Sequence, residues 1–467
     1  MNRTLLFFLA LATLLIAARL CHTSILWEGD TSPLATAGQM AGGKAIYRDI
    51  WYDKPPLAAA FYLLSGARPG WPLRTSDALY CLLACWIAWR FARDLWSERE
   101  AFWAAGLLGF FLVFDIPSAV IPVASDLRML APHVAAVWMA WKRRPFWSGV
   151  LAGVAFWISP KGLFVWAACV VWNPAGVVWM AAGFAAVSGA AAAALWSAGA
   201  LGPYWEQVWI WGRLYAGSPF EANPVVNGAI RTLNWMGFHA AAVIAAGWFL
   251  WRRGPGVRRA PWSLWLVISL IGVAAGMRFF PRYYFILLPV VVLMAARGFV
   301  LLGRRREWLA LVLLIPATRF GPSYVAALTD PAWRDIGMDR DSRAAAAMVR
   351  RMAGPGDTLF VWGYRPEIYI YTRLPAATMF LDSQPLTGVP ADRHLTGSEP
   401  VETEAASRRR AMLARTDPTF VLDGLGPFNP RLAIGAYPDL REWFSHYREA
   451  ARVGQTVIYR STRSSTR

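Results

Sequence analysis

Three short charged runs lie close together near the start of an otherwise apolar chain. Trp27-Glu28-Gly29-Asp30 comes first, Tyr47-Arg48-Asp49 follows, and Trp51-Tyr52-Asp53-Lys54-Pro55-Pro56 closes the set. Carboxylates in such a setting can take a proton or hold a divalent metal, and an adjacent lysine can neutralise a phosphate. The acid–Lys–Pro–Pro turn leads straight into an apolar stretch, so the set suits an interfacial site for a phosphate-bearing lipid. An ordinary charged loop is the competing reading of the same spacing. Further along, Asp126, Lys161 and Arg282 stand singly at the edges of apolar blocks. Charge at membrane level is costly and usually has a task.

The elements that must position these residues are read from composition. Hydrophobic residues make up 57% of the 467 and charged residues only 16%, and the mean hydropathy is +0.35. A soluble chain carries roughly a quarter charged residues. The apolar residues come in blocks of about 15 to 22, near the length a helix needs to cross the hydrocarbon core. Many of the 27 Trp and 15 Tyr sit near the block ends, at headgroup level. The fold class expected is a polytopic α-helical membrane protein of about eleven transmembrane helices, with a large first outer loop and a C-terminal soluble α/β domain.

Candidate spans are Leu5–Leu20, Ser76–Ala92, Ala101–Phe114, Leu127–Trp141, Phe146–Ile158, Leu163–Trp172, Ala175–Trp196, Met236–Trp251, Trp262–Gly276, Tyr284–Phe299 and Trp308–Tyr324. Between residues 146 and 172 the count is ambiguous, because Ser159-Pro160-Lys161-Gly162 interrupts two short blocks. They read either as a tilted pair or as one re-entrant hairpin. With the N-terminus inside, Arg90/Arg93, Lys142–Arg144, Arg252/Arg253 with Arg258/Arg259, and Arg304–Arg306 all fall on the cytoplasmic side. That is the positive-inside bias. The formal charge of +18 is therefore read as membrane topology, and a nucleic-acid partner is excluded.

The domain division expected is 1–325 for the membrane part and 326–467 for an extracytoplasmic α/β domain. In the latter, Ala344–Met352 and Glu404–Leu413 read as helices, and Thr358–Trp362, Thr378–Leu381, Thr419–Leu422 and Thr456–Tyr459 as strands. Cys21, Cys81, Cys85 and Cys169 imply no disulfide framework. His133 and His239 read as packing residues.

The run from Glu28-Gly29-Asp30 through Tyr47-Arg48-Asp49 to Asp53-Lys54-Pro55-Pro56-Leu57 resembles the first periplasmic loop of the glycosyltransferase C superfamily. More narrowly, it is similar to bacterial relatives of protein mannosyltransferases and of the lipid A aminoarabinose transferase. Ala124-Ser125-Asp126-Leu127 resembles that family's second acidic site, Pro160-Lys161-Gly162 its Thr-Lys-Gly turn, and Arg282-Tyr283-Tyr284 a late-span pattern. The resemblance implies a cell-membrane (inner-membrane) enzyme that moves a sugar from a polyprenyl-phosphate carrier to an extracytoplasmic lipid, glycan or protein. It implies Asp30 as the catalytic base, with Glu28 the second candidate, Asp126 as a catalytic partner that orients the acceptor or assists Asp30, and Asp53, Lys54, Lys161 and Arg282 as substrate-binding residues. A divalent metal ion is implied only as an open alternative, with Asp53 its candidate ligand. Thr31 stands where the aminoarabinose transferase type has a glutamate, which removes one potential ligand.

Each role has a plain structural counterpart. Asp30 suits an N-cap through Thr31-Ser32-Pro33, and Asp53 suits a surface pair with Lys54 or Arg48. Asp126 can cap a span, Lys161 can snorkel, and Arg282 can anchor at the interface. A transporter or lipid flippase is the alternative function.

Overall fold

The computed structural model describes residues 2–217, 223–252, 259–389 and 397–463. Every apolar block named above carries helix. Arg3–Leu20, Pro174–Ser197 and Gly303–Thr329 are each long and apolar enough to cross a membrane, and Pro224–Phe238 with Ala240–Trp251 makes a pair bent by 91°. The remaining blocks are less uniform than periodicity suggests. Trp71–Leu95 is 25 residues long but carries Arg74, Asp77, Arg90, Arg93 and Asp94. Pro145–Ile158, Gly162–Trp172, Arg259–Ala274 and Leu288–Leu301 are shorter apolar helices. The expected block at Tyr284 opens as a 3-10 turn, Pro281–Ile286, ahead of the α-helix Leu288–Leu301.

The helices leave an apolar exterior that a bilayer would cover. Trp147, Val178, Trp196 and Leu233 are all more than half exposed, and only 11% of the Pro174–Ser197 window is buried. Such a surface has no place in water. The basic clusters gather at one end of the bundle: Lys142 Nζ lies 2.6 Å from Asp94, and Trp96 stacks on Trp262 at 5.5 Å. Arg259 donates to the Trp251 carbonyl at 2.8 Å. Arg253 and Arg258 fall outside the described residues.

At the other end lies a four-stranded sheet of order β1-β2-β4-β3. Strand β1 (Leu359–Trp362) runs parallel to β2 (Phe420–Asp423), while β3 (Tyr447–Val453) and β4 (Thr456–Ser461) are antiparallel. Two expectations change here. Thr378–Leu381 is a turn, since the Thr378 hydroxyl bonds both the carbonyl and the N–H of Phe380 at 3.0 Å and so competes with ladder formation. Strand β3 was not expected at all. Its sequence is charged, as suits an exposed edge.

This C-terminal layer is bolted to the long loop that follows the first span. The Trp51 N–H donates to the Met379 carbonyl at 2.6 Å, the Ala376 N–H to Gln39 Oε1 at 2.9 Å, and the Leu26 N–H to Asp339 Oδ1 at 3.3 Å. Ala35 and Ile50 of the loop share one apolar cluster with Leu359, Ile368 and Phe420. The loop is thereby held between the bundle and the sheet.

Candidate active site

The first-loop helix runs Glu28–Ala41, so it begins three residues earlier than a cap at Asp30 would require. This start fixes the chemistry. Residues i and i+2 of a helix point to different sides, so Glu28 and Asp30 face different surroundings. Gly29 lies between them, and a Cβ there would come within 2.9 Å of the Pro122 ring. The missing side chain lets the helix press against the turn that precedes Asp126.

Glu28 faces a cavity of ≈ 400 Å³ at the junction of bundle, first loop and C-terminal layer. Its side chain is 60% exposed, and its carboxylate lies 3.4 Å from Arg282. Asp126, in the first turn of Ser125–Arg128, is 7% exposed and pairs with Lys161 at 3.1 Å. The Lys161 ammonium also sits 3.2 Å from the centroid of the Tyr283 ring. Lys161 owes its position to Gly162, where a Cβ would meet the Phe156 backbone nitrogen at 2.2 Å. Asp53 and Lys54 form a third pair at 3.1 Å. Lys54, Lys161, Arg278 and Arg282 face Glu28, Asp53 and Asp126 across the cavity, an excess of one positive charge.

The Tyr-Arg-Asp…Asp-Lys-Pro-Pro run folds as a unit around this wall. Tyr47 takes a left-handed backbone, φ 66°, and its buried hydroxyl donates to the Lys54 carbonyl at 2.6 Å. Asp49 accepts from the Ala45 N–H at 2.9 Å and from the Arg48 guanidinium at 2.8 Å. The Arg48 hydrogen bond, with that N–H, holds the Asp49 carboxyl down to about 2. Gln207 ties the run to the bundle, accepting from the Tyr52 N–H at 2.9 Å and donating to the Tyr47 carbonyl at 2.8 Å. Arg48 and Asp49 are scaffold; Asp53 and Lys54 are what the scaffold presents.

Asp30 lies behind the wall. It is fully buried, paired with Arg74 at 2.8 Å and accepting from the Tyr62 hydroxyl at 3.1 Å. Arg74 continues to Asp77 at 3.3 Å, and Asp77 to Arg128 at 3.7 Å. Arg74 also donates to the carbonyls of His22 and Ile25. Of the residues expected at the site, Asp53, Lys54, Asp126, Lys161 and Arg282 line the cavity; Asp30 does not, and its neighbour Glu28 does. Arg278, Tyr215, Tyr364 and Gln384 also line the cavity and carry no local sequence signal. Arg278 sits over the Tyr215 ring at 3.6 Å.

A metal ion fits this donor set poorly. Among the described residues no three His, Cys, Asp or Glu side chains converge, and each of the three cavity acids already faces a cation.

No family model matches the chain, and no curated protein matches it. Among solved structures it resembles ArnT from Cupriavidus metallidurans bound to undecaprenyl phosphate, with 14% identity and a TM-score of 0.59 over 98% of both chains. The apo state of that protein matches over 97% of both chains, with 13% identity and a TM-score of 0.56. The Archaeoglobus fulgidus oligosaccharyltransferase in complex with Zn and sulfate gives a looser likeness: 14% identity and a TM-score of 0.48, over 96% of this chain and 73% of that one. The chain shares the fold of the Cupriavidus metallidurans ArnT structures over nearly its whole length.

Proposed function

We propose that the chain is a membrane glycosyltransferase that moves a sugar from a polyprenyl-phosphate carrier to a hydroxyl acceptor on the outer face. The observation that carries this reading is the cavity itself, where Glu28 and Asp126 stand opposite Lys161 and Arg282 at the edge of the apolar bundle. A lipid phosphate can enter from the bilayer side and meet two fixed cations. The ArnT structure of the same fold is bound to undecaprenyl phosphate, which supports this carrier class.

In the step proposed, the Glu28 carboxylate takes the proton of the acceptor hydroxyl as its oxygen attacks the anomeric carbon. The bond from that carbon to the carrier phosphate breaks, and its electron pair leaves with the phosphate. Lys161 and Arg282 stabilise the charge that develops there. One bond forms opposite the one that breaks, so the configuration inverts. Asp126 holds Lys161 in place, and Asp53 presents Lys54. Asp30 acts as a positioning residue through Arg74. No step passes through a metal.

The outer placement of the cavity rests on the basic clusters at the opposite end, which the positive-inside rule assigns to the cytoplasm. The test incubates purified protein in lipid with undecaprenyl-phosphate hexoses and a hexyl glycoside, and follows release of undecaprenyl phosphate. Release coupled to a new glycoside is expected. Movement of intact carrier lipid between leaflets, without release, would replace this reading by that of a flippase.

A further inference from the structure

A small recess opens off the main cavity where the first loop meets the C-terminal layer. It has room for ≈ 10 Å³, about the space of one water-sized group. Tyr52, Asp53 and Gln384 line both the recess and the cavity, and Asp382 lines the recess alone. Two of these groups lack partners. Among the described residues, Gln384 Nε2 and the Tyr52 hydroxyl are buried without any hydrogen bond, although Gln384 is only 5% and Tyr52 only 1% exposed. Buried polar groups are nearly always satisfied, so two unpartnered groups on residues that line one small void ask for a ligand. Asp382 is fixed beside them, since one of its oxygens accepts from the Gln384 N–H at 2.9 Å. Burial, with Asp53 adding to it against Lys54, pushes the Asp382 carboxyl up to about 7.

The walls are rigid. Trp51 and Trp211 meet edge to face at 5.9 Å, and Arg409 of the C-terminal layer lies over Trp51 at 4.4 Å while pairing with Glu206 at 3.1 Å. The lining residues therefore carry an amide donor, the hydroxyls of Ser32, Tyr52 and Tyr364, and two carboxylates, around a space too small for a ring. A group of that size that both donates and accepts is a hydroxyl.

Resting on the transferase reading above, we infer that this recess holds a second hydroxyl of the acceptor, and that the acceptor is a carbohydrate. The reacting hydroxyl must face Glu28. A serine or threonine side chain has no second one to place, whereas a sugar does. Gln384 and Tyr52 are then specificity-determining residues, and the C-terminal layer helps read the acceptor.

The test uses full-length protein in lipid, undecaprenyl-phosphate hexoses as donors, and octyl glucoside with its monodeoxy analogues as acceptors. Gln384→Leu and Tyr52→Phe each remove one orphan group, and Tyr52→Phe removes nothing else. Each should raise the acceptor KM roughly 3- to 10-fold, the range for one uncharged hydrogen bond, with the donor KM unchanged. One deoxy acceptor should show the same rise with wild type and no further rise with Gln384→Leu. Unchanged acceptor KM in both variants, with wild type active, overturns the recess assignment and leaves the transferase reading standing. Equal transfer to a serine-containing peptide, insensitive to both substitutions, overturns the carbohydrate acceptor. If wild type binds undecaprenyl phosphate yet transfers from no donor, the transferase reading itself is what has failed.

Discussion

Two clusters of charge lie within a few residues of each other in this chain, and they are built from the same parts. The cavity holds Glu28, Asp126, Lys161 and Arg282; behind it, Asp30, Arg74, Asp77 and Arg128 form a cage. In the cage the pairs at 2.8 and 3.3 Å are dry, and the Arg74 guanidinium is further taken up by two backbone carbonyls. In the cavity, Glu28 keeps most of its side chain exposed and touches its arginine only at 3.4 Å. Charge type does not separate the two. What separates them is whether a carboxylate has valence left over and a space beside it for a substrate.

The largest effect should come from the cavity. Glu28→Gln keeps the side-chain shape and removes the base, so transfer should fall by roughly 10²–10⁴-fold. Carrier binding and thermal stability should stay near wild type, since the Arg282 contact is long and solvent-facing. Transfer assays paired with undecaprenyl phosphate binding check this. A fully active Glu28→Gln would shift the base to Asp126 or return it to Asp30.

The cage should respond in the opposite currency. Removing one partner of a buried ion pair leaves an uncompensated charge, at a cost of about 3–5 kcal/mol. Arg74→Met strands Asp30 and leaves Asp77 only its longer contact with Arg128, so it should lower the unfolding temperature strongly. Asp30→Asn should do so less, because Asp77 remains with Arg74. Protein that does fold should transfer sugar within a few-fold of wild type. Loss of transfer in stable Asp30→Asn protein would erase the contrast between the two clusters.

Lys54 lies between the two cases, half-exposed and paired at 3.1 Å with Asp53. If it contacts the carrier phosphate, Lys54→Met should raise the donor KM by about 3- to 10-fold with a smaller change in kcat. An unchanged donor KM removes it from the phosphate site.

Much of this architecture was legible in the sequence, for physical reasons. Apolar blocks of spanning length and basic clusters on alternate turns are imposed by the bilayer itself. The Tyr47–Pro56 run is legible because its bonds are local, from Ala45 to Asp49 and from Tyr47 to Lys54. The facing of Asp30 was not. The resemblance points to Asp30, whereas the helix starts at Glu28 and so turns these two acids to different sides. That start decides which acid meets the cavity. Asp77 and Arg74 sit at the head of a span where a flanking charge and a caged one look alike. Gln384 and Tyr364 reach the cavity from more than three hundred residues away, and no local pattern announces such a contact.

Glu367 extends the comparison to a third kind of buried acid, and with the smallest effect. It is as enclosed as Asp30, yet its contact is the Ser342 hydroxyl at 2.6 Å, and among the described residues it has no ion pair. Burial pushes its carboxyl from 4.5 up to about 7; the Ser342 bond and the nearby Arg365 oppose this, and Asp339 adds to it. The folded chain therefore holds this proton more tightly than the unfolded chain does. The sign follows: the contribution to stability is fully present below pH 4.5 and is lost as pH rises through about 7. Unfolding of the C-terminal layer should begin at lower temperature at pH 8 than at pH 5. Glu367→Gln fixes the protonated shape and should flatten that dependence. Some slope should remain, because Asp382 is raised in the same direction. Asp30→Asn, which lies in the first loop and outside the C-terminal layer, should not flatten it. A pH profile unchanged by Glu367→Gln would mean that a cation or solvent reaches this site after all, and that burial alone does not distinguish it from the cage.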